Sequence, residues 1–168
     1  MGLGWNFEPL IARHGGIAAR RELLAGGWTE TDIWLGDIWG CLDRIRRGWY
    51  AAEDLPDDAR AAWRAGGPLA CVSALLHHGL LPPAPGDAAL GLHICVASDG
   101  HVPRDDPYGP PPPDPLIVHW STADRRSGSR RAVSPAVALR QARACTPEAR
   151  ARAAEVPLGS RRRLPARR

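Results

Sequence analysis

The clearest chemical capacity in this sequence is a set of guanidiniums gathered around one glycine. Arg44, Arg46 and Arg47 precede Gly48 in the run Arg-Ile-Arg-Arg-Gly-Trp-Tyr. A guanidinium holds a permanent charge and a planar fork of donors that matches two phosphate oxygens, so several at one chain turn can clamp a polyanion backbone. The plainer role of such a cluster is to solvate an edge hairpin against aggregation. Arg20 and Arg21 form a second pair, suited to a nucleic-acid backbone or to ordinary helix surface. Thr29 and Thr31 add neutral hydroxyls that can donate to phosphates or base edges. All 22 basic side chains are arginine. The absence of lysine removes the phosphate-loop amine, Schiff-base chemistry and the catalytic lysine of common restriction-type nuclease folds.

The remaining reactive side chains show no local pattern of a catalytic or metal centre. Cys41, Cys71, Cys95 and Cys145 are far apart in sequence, with no C-x-x-C pair, and are read as reduced, packed thiols rather than zinc ligands or disulfide partners. His14, His93 and His119 fall on separate elements, and no Ser or Cys has a nucleophile signature around it. His77 and His78 are adjacent, but His78 is read as a structural residue at a helix end rather than a ligand. The expectation is a protein that is not an enzyme, with no catalytic residue, metal or cofactor.

The elements that must position the arginines can be read from local signals. A first short helix ends at Arg13-His14-Gly15-Gly16, and Ala18 to Ala25 is predicted as a second, closed by Gly26-Gly27. Thr29-Glu30-Thr31-Asp32 has the hydroxyl-x-x-acid form of a reciprocal helix cap, so a third helix runs from Glu30 to Trp39 and stops at Gly40. Leu42 to Ile45 and Trp49 to Ala51 alternate as two strands, with Arg46-Arg47-Gly48 as the turn. Helix, turn, capped helix and cationic hairpin read together as a winged helix-turn-helix over residues 1–54.

Here the residues resemble a known family. Ala-Arg-His-Gly-Gly-Ile (12–17), Arg-Arg-Glu-Leu-Leu (20–24), Arg-Ile-Arg-Arg-Gly-Trp-Tyr-Ala (44–51) and Cys-Val-Ser-Ala-Leu-Leu-His-His-Gly-Leu (71–80) resemble the AbiEi-type antitoxins of actinobacteria and their phages, a type IV toxin-antitoxin family. The resemblance covers residues 7 to 80 well, and Leu92–Val96, Leu116–Trp120 and Ala136–Cys145 more loosely. It implies an N-terminal winged helix that binds operator DNA and represses its own operon, and a following α/β domain that serves toxin neutralisation. It also implies that the C-terminal nuclease-like domain of longer relatives is lacking, since this sequence ends where that domain would begin.

The third helix departs from a usual groove reader. It offers Glu30, Asp32 and Asp37 and no basic residue, where Arg, Lys, Asn or Gln would normally face base edges. At about 100° per residue, Trp34, Leu35, Ile38 and Trp39 share one arc, which favours their burial because Leu42 continues the same face. The family register would instead bury positions 33 and 37 and leave the tryptophans at the surface.

Beyond the hairpin, residues 55–156 are read as a small mixed α+β domain. Leu55-Pro56-Asp57-Asp58 opens a helix through Arg64, and Cys71 to His78 forms another. Leu92–Val96 and Leu116–Trp120 are β-branched strand candidates, separated by an exposed loop containing Gly109 and Pro110 to Pro113. Ser134-Pro135 begins a helix to about Ala144, and Pro147 to Ala154 another. Residues 157–168 are expected to be a disordered basic tail, with Arg161 to Arg163 and Arg167-Arg168.

A net charge of +4 and a sequence pI near 9.3 suit a polyanionic partner. Neither a secretory signal nor an apolar run of about 18 residues is seen, so a cytoplasmic protein without membrane contact is expected. The sequence thus points to an α+β regulator that represses transcription by binding double-stranded DNA through Arg20, Arg21, Thr29, Thr31, Arg44, Arg46 and Arg47. A homodimer or paired monomers on repeated half-sites would fit such a reader, and a cognate toxin or other protein is a further expected partner. The alternative is a protein-interaction module on the same scaffold, a toxin neutraliser or phage-encoded modulator, favoured by the non-basic third helix.

Overall fold

Thr29 fixes the start of the helix around which the N-terminal half is arranged. Its hydroxyl accepts from the Asp32 N–H at 3.1 Å, and the Asp32 carboxylate accepts the Thr29 N–H at 2.9 Å. This is the reciprocal cap expected from the sequence. The computed structural model describes residues 6–103 and 113–157. The expected tail from Leu158 onward, and the expected loop through Pro112, lie outside the described residues.

The chain is a mixed α+β fold. Its first half runs α1 (Glu8–Arg13), β1 (Ile17–Ala19), α2 (Arg20–Ala25), α3 (Glu30–Ile38), β2 (Asp43–Arg46) and β3 (Trp49–Ala51). The strands form one antiparallel sheet in the order β1-β3-β2. The prediction that a helix begins at Ala18 needs correction, because Ile17 to Ala19 pair with Ala51, Tyr50 and Trp49. Alanine favours helix locally, but all three residues are buried, and cross-strand pairing overrides a weak propensity. Glu22 then marks the true helix start by accepting the Ala19 N–H at 2.8 Å.

The preferred register of α3 is also overturned. Ile33 and Gly36 are buried, whereas Trp34, Ile38 and Trp39 are 60%, 57% and 65% exposed. The cause is Phe7, whose ring fills the notch at Gly36: a Cβ there would meet Phe7 Cε2 at 2.6 Å. Phe7 in turn packs against Trp28, with ring centroids 4.2 Å apart. A glycine adds nothing to an apolar count, so the buried face was invisible to side-chain periodicity.

The second half runs α4 (Asp57–Ala65), α5 (Cys71–His77), a 3₁₀ turn (Asp87–Leu90), β4 (Leu92–Val96), β5 (Leu116–Trp120), α6 (Thr122–Arg125), α7 (Pro135–Ala144) and α8 (Pro147–Ala154). β4 and β5 pair in parallel, Leu92 with Leu116 through Val96 with Trp120. Ser134 and Thr146 cap α7 and α8 by accepting from Val137 and Ala149, each with proline at the first turn. His78 ends α5, and its ring Nε2 lies 2.8 Å from the Val133 carbonyl, in keeping with a structural role.

A small core of Phe7, Ile11, Ala18, Leu23, Ile33, Leu42, Tyr50 and Ala52 lies inside the first half. The larger core takes Ile17, Ile45 and Ala51 from the first sheet into contact with the second half, around Trp63, Leu69, Leu75 and Ile94. Hydrophobic burial therefore runs across the expected boundary at residues 54 and 55. Among the described residues, no helix is long and apolar enough to cross a membrane.

The Phe7 notch yields a paired expectation in urea denaturation. Gly36→Ala should cost about 1–3 kcal/mol through overpacking, whereas Trp39→Ala should fall within about 0.5 kcal/mol of the parent as a surface change. A reversed order, with Trp39→Ala the costlier change, would show that α3 packs by its other face.

Candidate nucleic-acid interface

The expected contact residues divide into those engaged within the fold and those presented outward. Arg20 on α2 pairs with Glu30 at the start of α3. Thr29 spends its hydroxyl on the helix cap. Arg44 reaches Asp37 at 2.7 Å. Arg46 lies over two indoles instead, with its guanidinium carbon 5.4 Å from the Trp49 ring and 5.6 Å from that of Trp63. A register irregularity between Arg44 and Arg46 in the pairing with β3 accompanies their separate directions. Arg21, Thr31 and Arg47 are exposed.

Sequence reasoning did not anticipate which arginines would gather. A groove lined by Arg21, Trp49, Trp63, Arg125, Arg126 and Arg130 joins α2, the hairpin and the segment after α6. A hollow containing Arg21, Arg46, Trp49 and Arg125 extends it toward Gly100 and His101. Trp49 and Trp63 form its floor, with ring centroids 4.3 Å apart. Arg125 lies 5.4 Å from the Trp63 ring, and Arg130 lies 5.9 Å from that of Trp49. The run Arg-Arg-Ser-Gly-Ser-Arg-Arg at 125–131 was dense in charge, but nothing local tied it to a hairpin some 80 residues earlier. That link comes from Arg130, which donates to the Ile17 carbonyl at 2.8 Å and to Glu22 Oε2 at 2.6 Å, and from Arg131, which donates to the Gly15 carbonyl at 2.9 Å.

Charge in the groove is under strain from its own sign. Burial lowers the pKa of Arg125, and the neighbouring Arg130, Arg126 and Arg21 lower it further, against an opposing effect of Cys95. A bound anion would relieve that repulsion. Glu22 shows the converse. Its hydrogen bonds with Arg130 hold its carboxyl far below the usual carboxylate range, at about 2, although burial pulls the other way; the Ala19 N–H adds to the lowering.

A second constellation lies inside the other half of the molecule. Cys71, His93, His119 and Cys145, read from the sequence as separate packed residues, converge so that one ligand atom of each lies within 4.8 Å of all the others. His93 Nδ1 is 3.4 Å from His119 Nε2, and Cys145 Sγ is 3.8 Å from each of those nitrogens. Cys71 and His93 are fully buried. Burial, followed by the neighbouring His119, takes the His93 pKa down to about 4, while burial raises the Cys71 thiol. These four donors could hold a metal ion. Linear spacing had hidden them, because they come from α5, β4, β5 and the residue ending α7.

The chain matches no family model and no curated protein.

The Glu22 pair fixes an acid dependence of stability. The folded pKa is lowered, so its contribution is complete above about pH 4.5 and is lost as pH falls toward about 2. Urea midpoints measured between these limits should fall more steeply for the parent than for Glu22→Gln, which should lose about 1–3 kcal/mol at neutral pH. Parallel pH profiles would mean that the pair contributes nothing net.

Proposed function

We propose that the chain binds double-stranded DNA as a transcriptional repressor or antitoxin-like regulator of the cytoplasm, acting as a homodimer or as paired monomers. In this reading α1 to β3 constitute a winged helix-turn-helix, with β2 and β3 as the wing. Support comes from the order helix, strand, helix, helix, hairpin and from the antiparallel sheet that returns the hairpin beside β1. The observation that carries the reading is the gathering of Arg21, Arg46, Arg125, Arg126 and Arg130 around two indoles. Arg46, Arg125 and Arg130 lie over the indoles, where a partly desolvated guanidinium binds phosphate more strongly than a fully hydrated one. Arg47 extends the charge from the hairpin tip.

This division of labour changes what α3 does. Glu30 and Asp37 are paired with Arg20 and Arg44, so the helix presents less uncompensated negative charge than its composition suggests. Thr31 remains an exposed neutral donor for a base edge or phosphate. Affinity therefore comes mainly from backbone contacts, and sequence discrimination is modest.

A second reading rests on a separate observation. Trp34, Ile38 and Trp39 form an exposed apolar arc on α3, the composition of a protein-docking hot spot. A toxin neutraliser or modulator would use that arc, and DNA binding would be absent or incidental.

Titration against DNA from upstream of the gene, with scrambled duplex as control, separates the two. Joint replacement of Arg21 and Arg126 by Ala should weaken binding at least about tenfold and reduce the salt slope by about two ions. Joint replacement of Trp34 and Trp39 should leave DNA affinity unchanged. Affinity that stays flat between about 50 and 200 mM salt, a range in which several phosphate contacts cost orders of magnitude, would refute the DNA reading. Loss of a protein partner on removing the indoles would favour the second.

A further inference from the structure

We propose that Cys71, His93, His119 and Cys145 bind one zinc ion in a closed tetrahedral site. The distances support it first. With Zn–N bonds of about 2.0–2.1 Å and Zn–S bonds of about 2.3 Å, a tetrahedron has N–N edges of about 3.3 Å and N–S edges of about 3.6 Å. The observed separations are 3.4 Å between the two imidazole nitrogens and 3.8 Å from Cys145 Sγ to each of them. A nitrogen pair at 3.4 Å is long for a hydrogen bond, whose range ends near about 3.2 Å. It suits two ligands on one ion.

Ring orientation supports it independently. His93 Nε2 lies 3.1 Å from the Leu90 carbonyl, and because a carbonyl only accepts, that nitrogen carries the proton. Nδ1 is left with its lone pair directed at the other three donors. Metal-binding imidazoles are held in this way, with the remote N–H donated to a carbonyl. The backbone of Cys71 is equally specific. It is the one non-glycine residue with positive φ, +50°, among the described residues, a conformation that costs energy for an L side chain. Its N–H donates to Gln141 Oε1 at 3.1 Å, and Gln141 Nε2 donates to Asp124 Oδ2 at 3.1 Å. The buried glutamine thus fixes the residue that carries the thiol.

Two nitrogens and two sulfurs in tetrahedral array select zinc among the common divalent ions, and a full complement of protein ligands makes the site structural, with no open position for a substrate. Binding is proton-balanced: both thiols release H⁺ to solvent, two thiolates and two neutral imidazoles coordinate Zn²⁺, and the bound unit has no net charge. The ion would join the first residue of α5, both strands of the β4–β5 pair and the end of α7. Gln141 on α7 also holds Asp124, the neighbour of Arg125 on α6, so the zinc would stiffen the base of the arginine groove without belonging to it.

The test uses the full chain, purified under reducing conditions with chelator, and Zn²⁺ or Co²⁺ alone as probe. One equivalent of either metal should bind, with Co²⁺ giving the visible bands of tetrahedral thiolate coordination. Chelation of the zinc form should lower the melting temperature by about 10 °C or more. Cys71→Ser and Cys145→Ser should abolish the cobalt bands, while Cys41→Ser should retain them. Because a ligand variant can fail to fold, alkylation of the parent protein gives a second readout: chelation should raise labelling at Cys71 and Cys145, mapped by mass, and leave Cys41 unchanged. Absence of stoichiometric metal, a Cys71–Cys145 disulfide in the oxidant-free protein, or cobalt bands that survive both serine variants would overturn the site.

Discussion

The contact of Trp49 with Trp63 is the joint on which the two halves depend. One indole comes from the second strand of the hairpin and the other from α4, with ring centroids 4.3 Å apart. Around them the larger core takes in Ile17, Ile45 and Ala51, so burying the hairpin's inner face requires the second half. A three-stranded sheet of such short strands would gain little stability alone. Arg130 closes the joint by pairing with Glu22 and bonding the Ile17 carbonyl. The same indoles then serve as the floor of the arginine groove, so stability and charge presentation share one set of residues.

On α3, packing and charge act on opposite faces. The Phe7 ring in the notch at Gly36 commits Ile33 to the core and turns Trp34, Ile38 and Trp39 outward. That rotation also brings Asp37 to Arg44. An acid that would repel a phosphate is thereby compensated, at the expense of an arginine that would have bound one. The indole arc and the arginine groove are built from different residues, so engagement of a protein and of a polyanion need not compete for the same side chains.

The β4–β5 pair poses a separate physical problem. A two-stranded parallel sheet is weak in isolation, and its stability must come from what covers it. Helices α5 and α7 supply apolar cover through Val72, Leu75, Val137 and Ala138. The Cys/His cluster lies among these same elements, and burial there disfavours the charged forms of His93, His119 and the Cys71 thiol.

By itself the sequence determined the features whose cause is local. The α+β class was legible, as were β4 and β5 from their β-branched runs and α7 and α8 from Ser134-Pro135 and Thr146-Pro147. The reciprocal cap at Thr29 and Asp32 belongs to the same kind, because each partner lies within one turn of the other. Tertiary structure decided the rest. Ile17 to Ala19 became a strand because β3, some 30 residues later, offers the pairing. The face of α3 was set by Phe7 against a glycine with no side chain to count. Arg125, Arg126 and Arg130 met the hairpin, and Cys71, His93, His119 and Cys145 met one another, through contacts between segments distant in sequence. A spacing along the chain gives the distance between two residues only when they share an element; across elements, packing alone supplies it.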